Sequence, residues 1–388
     1  MAAKRISTGA RRFLRGRTIE PLRFRKDMDV EFMVERVFGA SGYNARRLAE
    51  ACALYGKMIR NDATVCLTLA GAMTPIGMGG PIITMMEKGL IDWIISTGAN
   101  LYHDLHRAFD FPMVQGDFRV DDNELRRHHI ARIYDVFIHD SATLEAQDMC
   151  IVKALLHHDN TAPMTTAELH NVIGKYALEH APHPEKSVLA MAAKYDVPVF
   201  TPSPADSSIG MNLITPYLYG NPVVIDVVRD ALQTAAIVAS SRKTGGIEVG
   251  GGAPKNYFMQ THPILWQILK SPKGGHDYFI QITDARPDTG GLSGATNSEA
   301  RSWGKVKDAC LNGVIVYCDA SIALPILLGY ANSKFKERER KRLYAKLDKM
   351  TDELILGTQA RDPYRKLLGS MRRARVRLRV YVSRENAR

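Results

Sequence analysis

The sequence predicts an α/β fold: a parallel sheet with helices on both faces, built as a single large domain with basic terminal arms. Three observations predict it. Short runs rich in Val, Ile, Thr and aromatic residues recur between longer stretches of helical spacing. The runs are nearly continuous in apolar character rather than alternating, as strands covered on both faces must be. No internal repeat or low-complexity linker divides the 388 residues, so one domain is more economical than two.

The elements follow in order. Residues 1–26 form a basic N-terminal arm, 27–333 the core domain, and 334–388 a charged segment with an Arg-rich tail. The strands expected are "TVCLTLA" (64–70), "DWIIST" (92–97), "DVFIH" (135–139), "DVPVFT" (196–201), "GIEVG" (246–250), "YFIQIT" (278–283) and "GVIVYCD" (313–319). "GPIITMMEKGL", "EKSVLAMAAKY" and "IDVVRDALQTAAIVASSR" read as helices leading into the second, fourth and fifth of these. The segment 335–350, "FKERERKRLYAKLDKM", interleaves acids and bases and reads as a solvated charged helix. The end, "RRARVRLRVYV", alternates Arg with apolar residues and reads as an edge strand.

The net charge of +11 invites a nucleic-acid reading until it is located. Residues 1–26 carry +8 and residues 371–388 carry +6, which leaves the body near −3. A near-neutral body with basic ends argues against a basic groove and for a small-molecule enzyme. The Arg-rich start reads as a disordered or docking arm, with a targeting presequence as the alternative. Five scattered cysteines without CxxC spacing read as buried free thiols of a cytoplasmic protein. No apolar run approaches the ~18 residues of a membrane span.

In parallel sheets ligands bind beyond the carboxyl ends of the strands. Here six strand ends carry small residues and carboxylates, which suggests one extended site. Gly250, Gly251 and Gly252 directly follow a strand, where glycines allow close approach to a phosphate or simply make a tight turn. Asp206 and Asp319 follow strands and suit either a ribose hydroxyl or a helix N-cap. His103 and His106 stand three apart on one helical face, but no further ligands with zinc-like spacing accompany them, and no metal is expected. Lys305 follows Trp303 by two residues. It suits a neutral amine desolvated beside an aromatic wall, or a surface lysine lying along a ring, and the local sequence favours the second.

The blocks "VPVFTPSPADSSIG", "VGGGAPKNY", "SEARSWGKVKD" and "VYCDASIALP" resemble, in order and spacing, those of deoxyhypusine synthases across about residues 27–333. The resemblance implies a homotetrameric protein with a Rossmann-like core and active sites near subunit interfaces. In that family NAD accepts a hydride from spermidine, a lysine captures the resulting imine, and the aminobutyl group passes to an acceptor amine. Lys305 matches the covalent lysine and Trp303 the aromatic wall, against the local reading. The NAD contacts carry over to Thr97, Gly98, Asp206, Gly250, Gly251, Gly252, Thr283, Ser293, Asp319 and Ala320.

The amine-binding side departs from the family pattern. His103 replaces a Glu, Met211 and Leu292 each replace an Asp, and Asn256 replaces a His. Desolvated ammonium groups need anionic or acceptor partners, so three lost acids point to a changed substrate unless Asp104, Asp284, Asp288 or Glu299 compensates. The leading expectation is an NAD-dependent aminoalkyl transferase acting through a Lys305 imine on polyamines or diamines, in the manner of homospermidine formation. His103 then serves as base or neutral hydrogen-bond partner, with Trp303, Asp104, Glu299, Asn256 and Met211 around the amine. The alternatives are a true deoxyhypusine synthase acting on a translation-factor lysine, and an inactive NAD-bound module whose basic tails contact RNA.

Overall fold

The computed structural model describes residues 7–307 and 312–361. Six parallel strands form the central sheet: β1 (Thr64–Leu69), β2 (Trp93–Ser96), β6 (Val199–Phe200), β7 (Thr244–Val249), β8 (Tyr278–Thr283) and β9 (Gly313–Tyr317). Their spatial order is β6-β2-β1-β7-β8-β9. Ranked along the chain, that order reads 3-2-1-4-5-6, the doubly wound arrangement with its topological switch between β1 and β7.

The strand pattern explains the two layers of helices. β1, β7 and β8 are buried along their whole length, as unbroken apolar runs require. Alternate side chains feed two cores. Val65, Leu67, Leu69, Ile247, Val249, Ile280 and Ile282 pack with the helix Tyr43–Arg60 and its neighbours on one face. Cys66, Trp93, Ile95, Phe200 and Phe279 pack on the other with Phe258 and Met259 from the helix Gly252–Pro263. Gly246 lets that helix lie close, since a Cβ there would meet the Phe258 ring at 2.4 Å.

Three expectations need correction. The run at 135–139 is a strand, β5 (Val136–His139), but it belongs to a separate antiparallel sheet, between β3 (Met113–Gln115) and β4 (Ile130–Ile133). Those two partners are short and incompletely buried, so they carry little apolar signal. The segment 335–350 is not one solvated helix. Residues 335–343 carry no regular secondary structure, and the helix begins at Leu347 and continues to Arg361. Charge patterning missed the reason: Arg338 reaches Asp92, which is buried at the start of β2, together with the carbonyl of Ala63 at 2.9 Å. The cysteines are less uniform than expected, for Cys52 and Cys66 are buried whereas Cys150 and Cys318 are half-buried. The tail "RRARVRLRVYV" lies outside the described residues.

Candidate active site

Parallel strands bring their carboxyl ends to one edge of the sheet, and the expected nucleotide residues collect there. Thr97 ends β2 and caps the helix Gly98–Asp104; its hydroxyl donates to the Gly71 carbonyl at 2.6 Å, beyond β1. Gly98 lies against the Asp206 turn, where a Cβ would come within 2.1 Å of Ser207 Cβ. Asp206 stands exposed in that turn after β6. Thr283 ends β8 and is buried. Asp319 follows β9 and accepts from the Ser321 N–H through one oxygen, capping the helix that starts at Ala320.

The Gly-rich turn sits at the switch point. Gly250 and Gly252 adopt φ of +70° and +56°, the left-handed region that favours glycine. Gly251 is required for a different reason: a Cβ there would lie 2.3 Å from Ser293 Cα. The Ser293 hydroxyl accepts from the Gly252 N–H at 3.1 Å, so the turn and the 292–296 loop are joined. Three glycines at the switch point, with Thr97 and Asp206 at strand ends on one side and Asp319 on the other, offer the chemistry a dinucleotide needs.

The helix Gly252–Pro263 leaves this turn and walls a cavity of about 490 Å³. Lys305, Trp303, Glu299, Asn256 and Leu292 all line it. Lys305 is placed by its backbone: its N–H donates to the Ala300 carbonyl at 3.0 Å, and its carbonyl accepts from His276 N–H at 2.8 Å. Gly304, at φ +68°, turns the chain from the short helix Asn297–Ser302 into that contact. The Lys305 Nζ donates to Asn256 Oδ1 at 3.3 Å and stands 5.6 Å from the centre of the Trp303 ring. Burial lowers its pKa below the ordinary lysine value, while Glu248 and Glu299 pull the other way. The stacking contact favoured by the local sequence is therefore present, but inside a cavity wall. Trp303 itself is 58% exposed, so the cavity is open on that side.

The other expected amine-side residues are elsewhere in this chain. His103 does not line the Lys305 cavity; its Nδ1 lies 3.0 Å from His106 Nε2, two strands away beyond β2. Burial, and then Arg107, lower its pKa to about 4, so the imidazole is neutral. Asp104 cannot offer a free carboxylate where it stands. It is 2% exposed and accepts from Ser187 Oγ at 2.6 Å, Val188 N–H at 2.8 Å and Leu189 N–H at 3.0 Å, capping the helix Val188–Tyr195. Met211 is 64% exposed on the short helix Ser208–Asn212, away from the cavity.

Sequence reasoning missed Lys255 and His276. Lys255 lines the cavity from below, donating to Gln281 Oε1 at 2.9 Å and the Ala295 carbonyl at 2.7 Å. It stands inside the block "VGGGAPKNY", one residue before Asn256, so the signal was at hand. His276 is buried, stacked on Phe258 at 3.9 Å, and gives no signal in the sequence for its role in holding Lys305.

Comparison with known proteins gives the family. The family model described as deoxyhypusine synthase matches residues 33–331. A "Deoxyhypusine synthase-like protein" of Nostoc punctiforme is 42% identical over 349 residues, covering 87% of this chain and 89% of that one. "Probable deoxyhypusine synthase 1" of Archaeoglobus fulgidus is 38% identical over 296 residues, covering 76% of this chain and 91% of that one. A crystal structure of a candidate deoxyhypusine synthase from Entamoeba histolytica shares the fold, with a TM-score of 0.56 at 17% identity, over 82% of this chain and 99% of that one. The chain belongs to the deoxyhypusine synthase family.

Proposed function

We propose that the protein is an NAD-dependent aminoalkyl transferase that carries the alkyl group on Lys305 and acts on small amines, in the manner of homospermidine formation. The observation that carries this reading is Lys305 itself: a desolvated lysine in a cavity wall beside Trp303, facing the helix that starts at the Gly-rich turn. When bound, the dinucleotide supplies a hydride acceptor and later the same hydride as donor. The chain's own groups do the rest. The neutral Lys305 amine adds to the oxidised carbon of the donor, and that carbon's original nitrogen leaves as a free amine, taking up a proton. The acceptor amine then displaces Lys305 by the same exchange. Trp303 offers its ring face beside the Lys305 amine, and Asn256 Oδ1 orients that amine.

The cavity argues for changed specificity. Apart from Lys255 and Lys305, its only charged lining residue among the described residues is Glu299, while Leu292, Ile264, Ile268 and Met259 supply apolar wall. One carboxylate suits one ammonium end, not the several of a trication. Gln260 and Gln267 offer amide acceptors farther along. His103 and Met211 enter this reading only through a second copy of the chain. The exposed apolar residues Met211, Ile214, Tyr217, Leu218 and Tyr219 on one stretch of surface support a homo-oligomer with sites near its interfaces.

The test is incubation with NAD and a panel of diamines and polyamines, then borohydride trapping and peptide mass analysis. A reduced alkyl adduct on Lys305 is expected, and its mass names the donor fragment. Turnover with an unmodified Lys305, or full activity of Lys305→Ala, would remove the covalent role. Transfer only to a protein lysine would favour the deoxyhypusine synthase reading instead.

A further inference from the structure

Beneath the Lys305 cavity lies a carboxylate that the chemistry above does not use. Glu248 stands one residue from the end of β7 and is fully buried. It shares its face of the strand with Gly246, whose missing Cβ abuts Phe258, so it points at the helix Gly252–Pro263. In the sheet register Glu248 sits between Thr68 of β1 and Gln281 of β8, a polar row across three strands of an otherwise apolar core. Neither Glu248 oxygen, nor the Thr68 hydroxyl, has a hydrogen-bond partner among the described residues. A buried carboxylate without donors is costly and calls for a compensating charge.

The charges that face it are few. Lys255, on the helix, donates to Gln281, the register neighbour of Glu248 on β8, while Lys305 after Trp303 and Glu299 on the helix Asn297–Ser302 line the same cavity as Lys255. Cys66 faces it from β1, its thiol pushed up by burial and so neutral. The first lysine is well equipped to be an ammonium, since Gln281 Oε1 and the Ala295 carbonyl both accept from it. The same Gln281 donates to the carbonyls of Gly250 and Ser293, each at 2.8 Å. One buried polar cluster thus ties the Gly-rich turn to the loop that leads to Glu299 and Lys305.

We propose that Glu248 is a positioning residue: from under the helix Gly252–Pro263 it acts as the internal counter-ion of Lys255 and Lys305, fixing Lys255 as the buried cation of the cavity floor and leaving Lys305 as the amine that gives up its proton. The proposal rests on the reading of Lys305 as the reacting amine, but its test does not. Burial raises the Glu248 pKa to about 8 although both lysines pull it down, and burial lowers both lysines although Glu248 pulls them up, so the three protonation states are linked and the carboxylate acts as counter-ion where it is ionised, toward alkaline pH.

Two experiments on the full chain decide it. In a thermal double-mutant cycle, Glu248→Gln and Lys255→Met each lower the Tm, and the double variant loses clearly less than the two losses added. Strictly additive losses overturn the pairing. The second experiment labels lysines with a small amine-reactive reagent across pH and reads Lys305 by peptide mass. Glu248→Gln moves the Lys305 midpoint to lower pH; at a fixed pH well below both midpoints, a midpoint lower by one pH step of 1 gives about tenfold faster labelling. Lys255→Met moves the midpoint up, because the carboxylate then acts on Lys305 alone. If Glu248→Gln does not fold alone, the double variant is compared with Lys255→Met: its Lys305 midpoint lies lower, and equal midpoints overturn the claim. Should both movements appear while Lys305→Ala keeps turnover, the counter-ion role stands and the transferase reading falls.

Discussion

At the scale of single residues, the proposed chemistry rests on Lys305. Its amine must be neutral to attack carbon, and burial lowers its pKa from the ordinary lysine value near 10.4. Activity therefore rises with pH through that lowered pKa, and a kcat profile whose limb lies at or above the free-lysine value would contradict it. Lys305→Ala is expected to cut kcat by about a hundredfold or more with the fold intact by circular dichroism. Trp303→Ala removes the ring 5.6 Å from the Lys305 amine and should weaken amine binding, visible as a raised KM with kcat less affected. The sequence made Lys305 and Trp303 visible through their block, but it misplaced Asp104. A carboxylate is legible as an acid; that three donors at the start of the helix Val188–Tyr195 consume it is a fact of packing.

At the scale of elements, two short segments carry most of the constraint. Gly251→Ala places a Cβ 2.3 Å from Ser293 Cα, a backbone atom with no rotamer to yield. The expected cost is about 1–3 kcal/mol of stability, with loss of NAD affinity measured by fluorescence titration because the turn must move. A variant as stable as the parent would show that the turn and the 292–296 loop are not locked. The irregular strap 335–343 is the second. Arg338→Met leaves Asp92 buried without its cation, and about 3–5 kcal/mol should be lost in chemical denaturation. The charged composition of this strap suggested a solvated helix because i,i+4 patterning records sign and spacing, not the partner. The partner lies at the start of β2, 246 residues away in sequence.

At the scale of the whole molecule, assembly and the basic ends are what remain to be tested. Tyr217, Leu218 and Tyr219 are each at least 70% exposed, an apolar stretch that a monomer rarely leaves in water. Leu218→Arg is expected to move the sedimentation profile toward monomer and to lower turnover if the site is completed by a second copy. Unchanged mass and activity would place the interface elsewhere. The basic residues at 1–26 and 371–388 account for more than the whole net charge. If they bind RNA, affinity should fall steeply with salt and vanish when both ends are trimmed, while amine transfer stays.

By itself the sequence determined the layered parallel architecture, because unbroken apolar runs bounded by turns suit strands buried on both faces, and it determined the residues at the strand ends, because carboxyl ends of parallel strands share one edge. It also placed Lys305 and Trp303 in one block. Only the tertiary structure decided which polar groups remain available. Asp104 and His103 are adjacent in sequence, yet the first is consumed by a helix terminus and the second pairs with His106 far from the cavity. Glu248 reads as an interruption in an apolar strand until β1, β7 and β8 are set side by side under Lys255. Strand registers and helix docking fix which distant groups meet, and no local pattern records that.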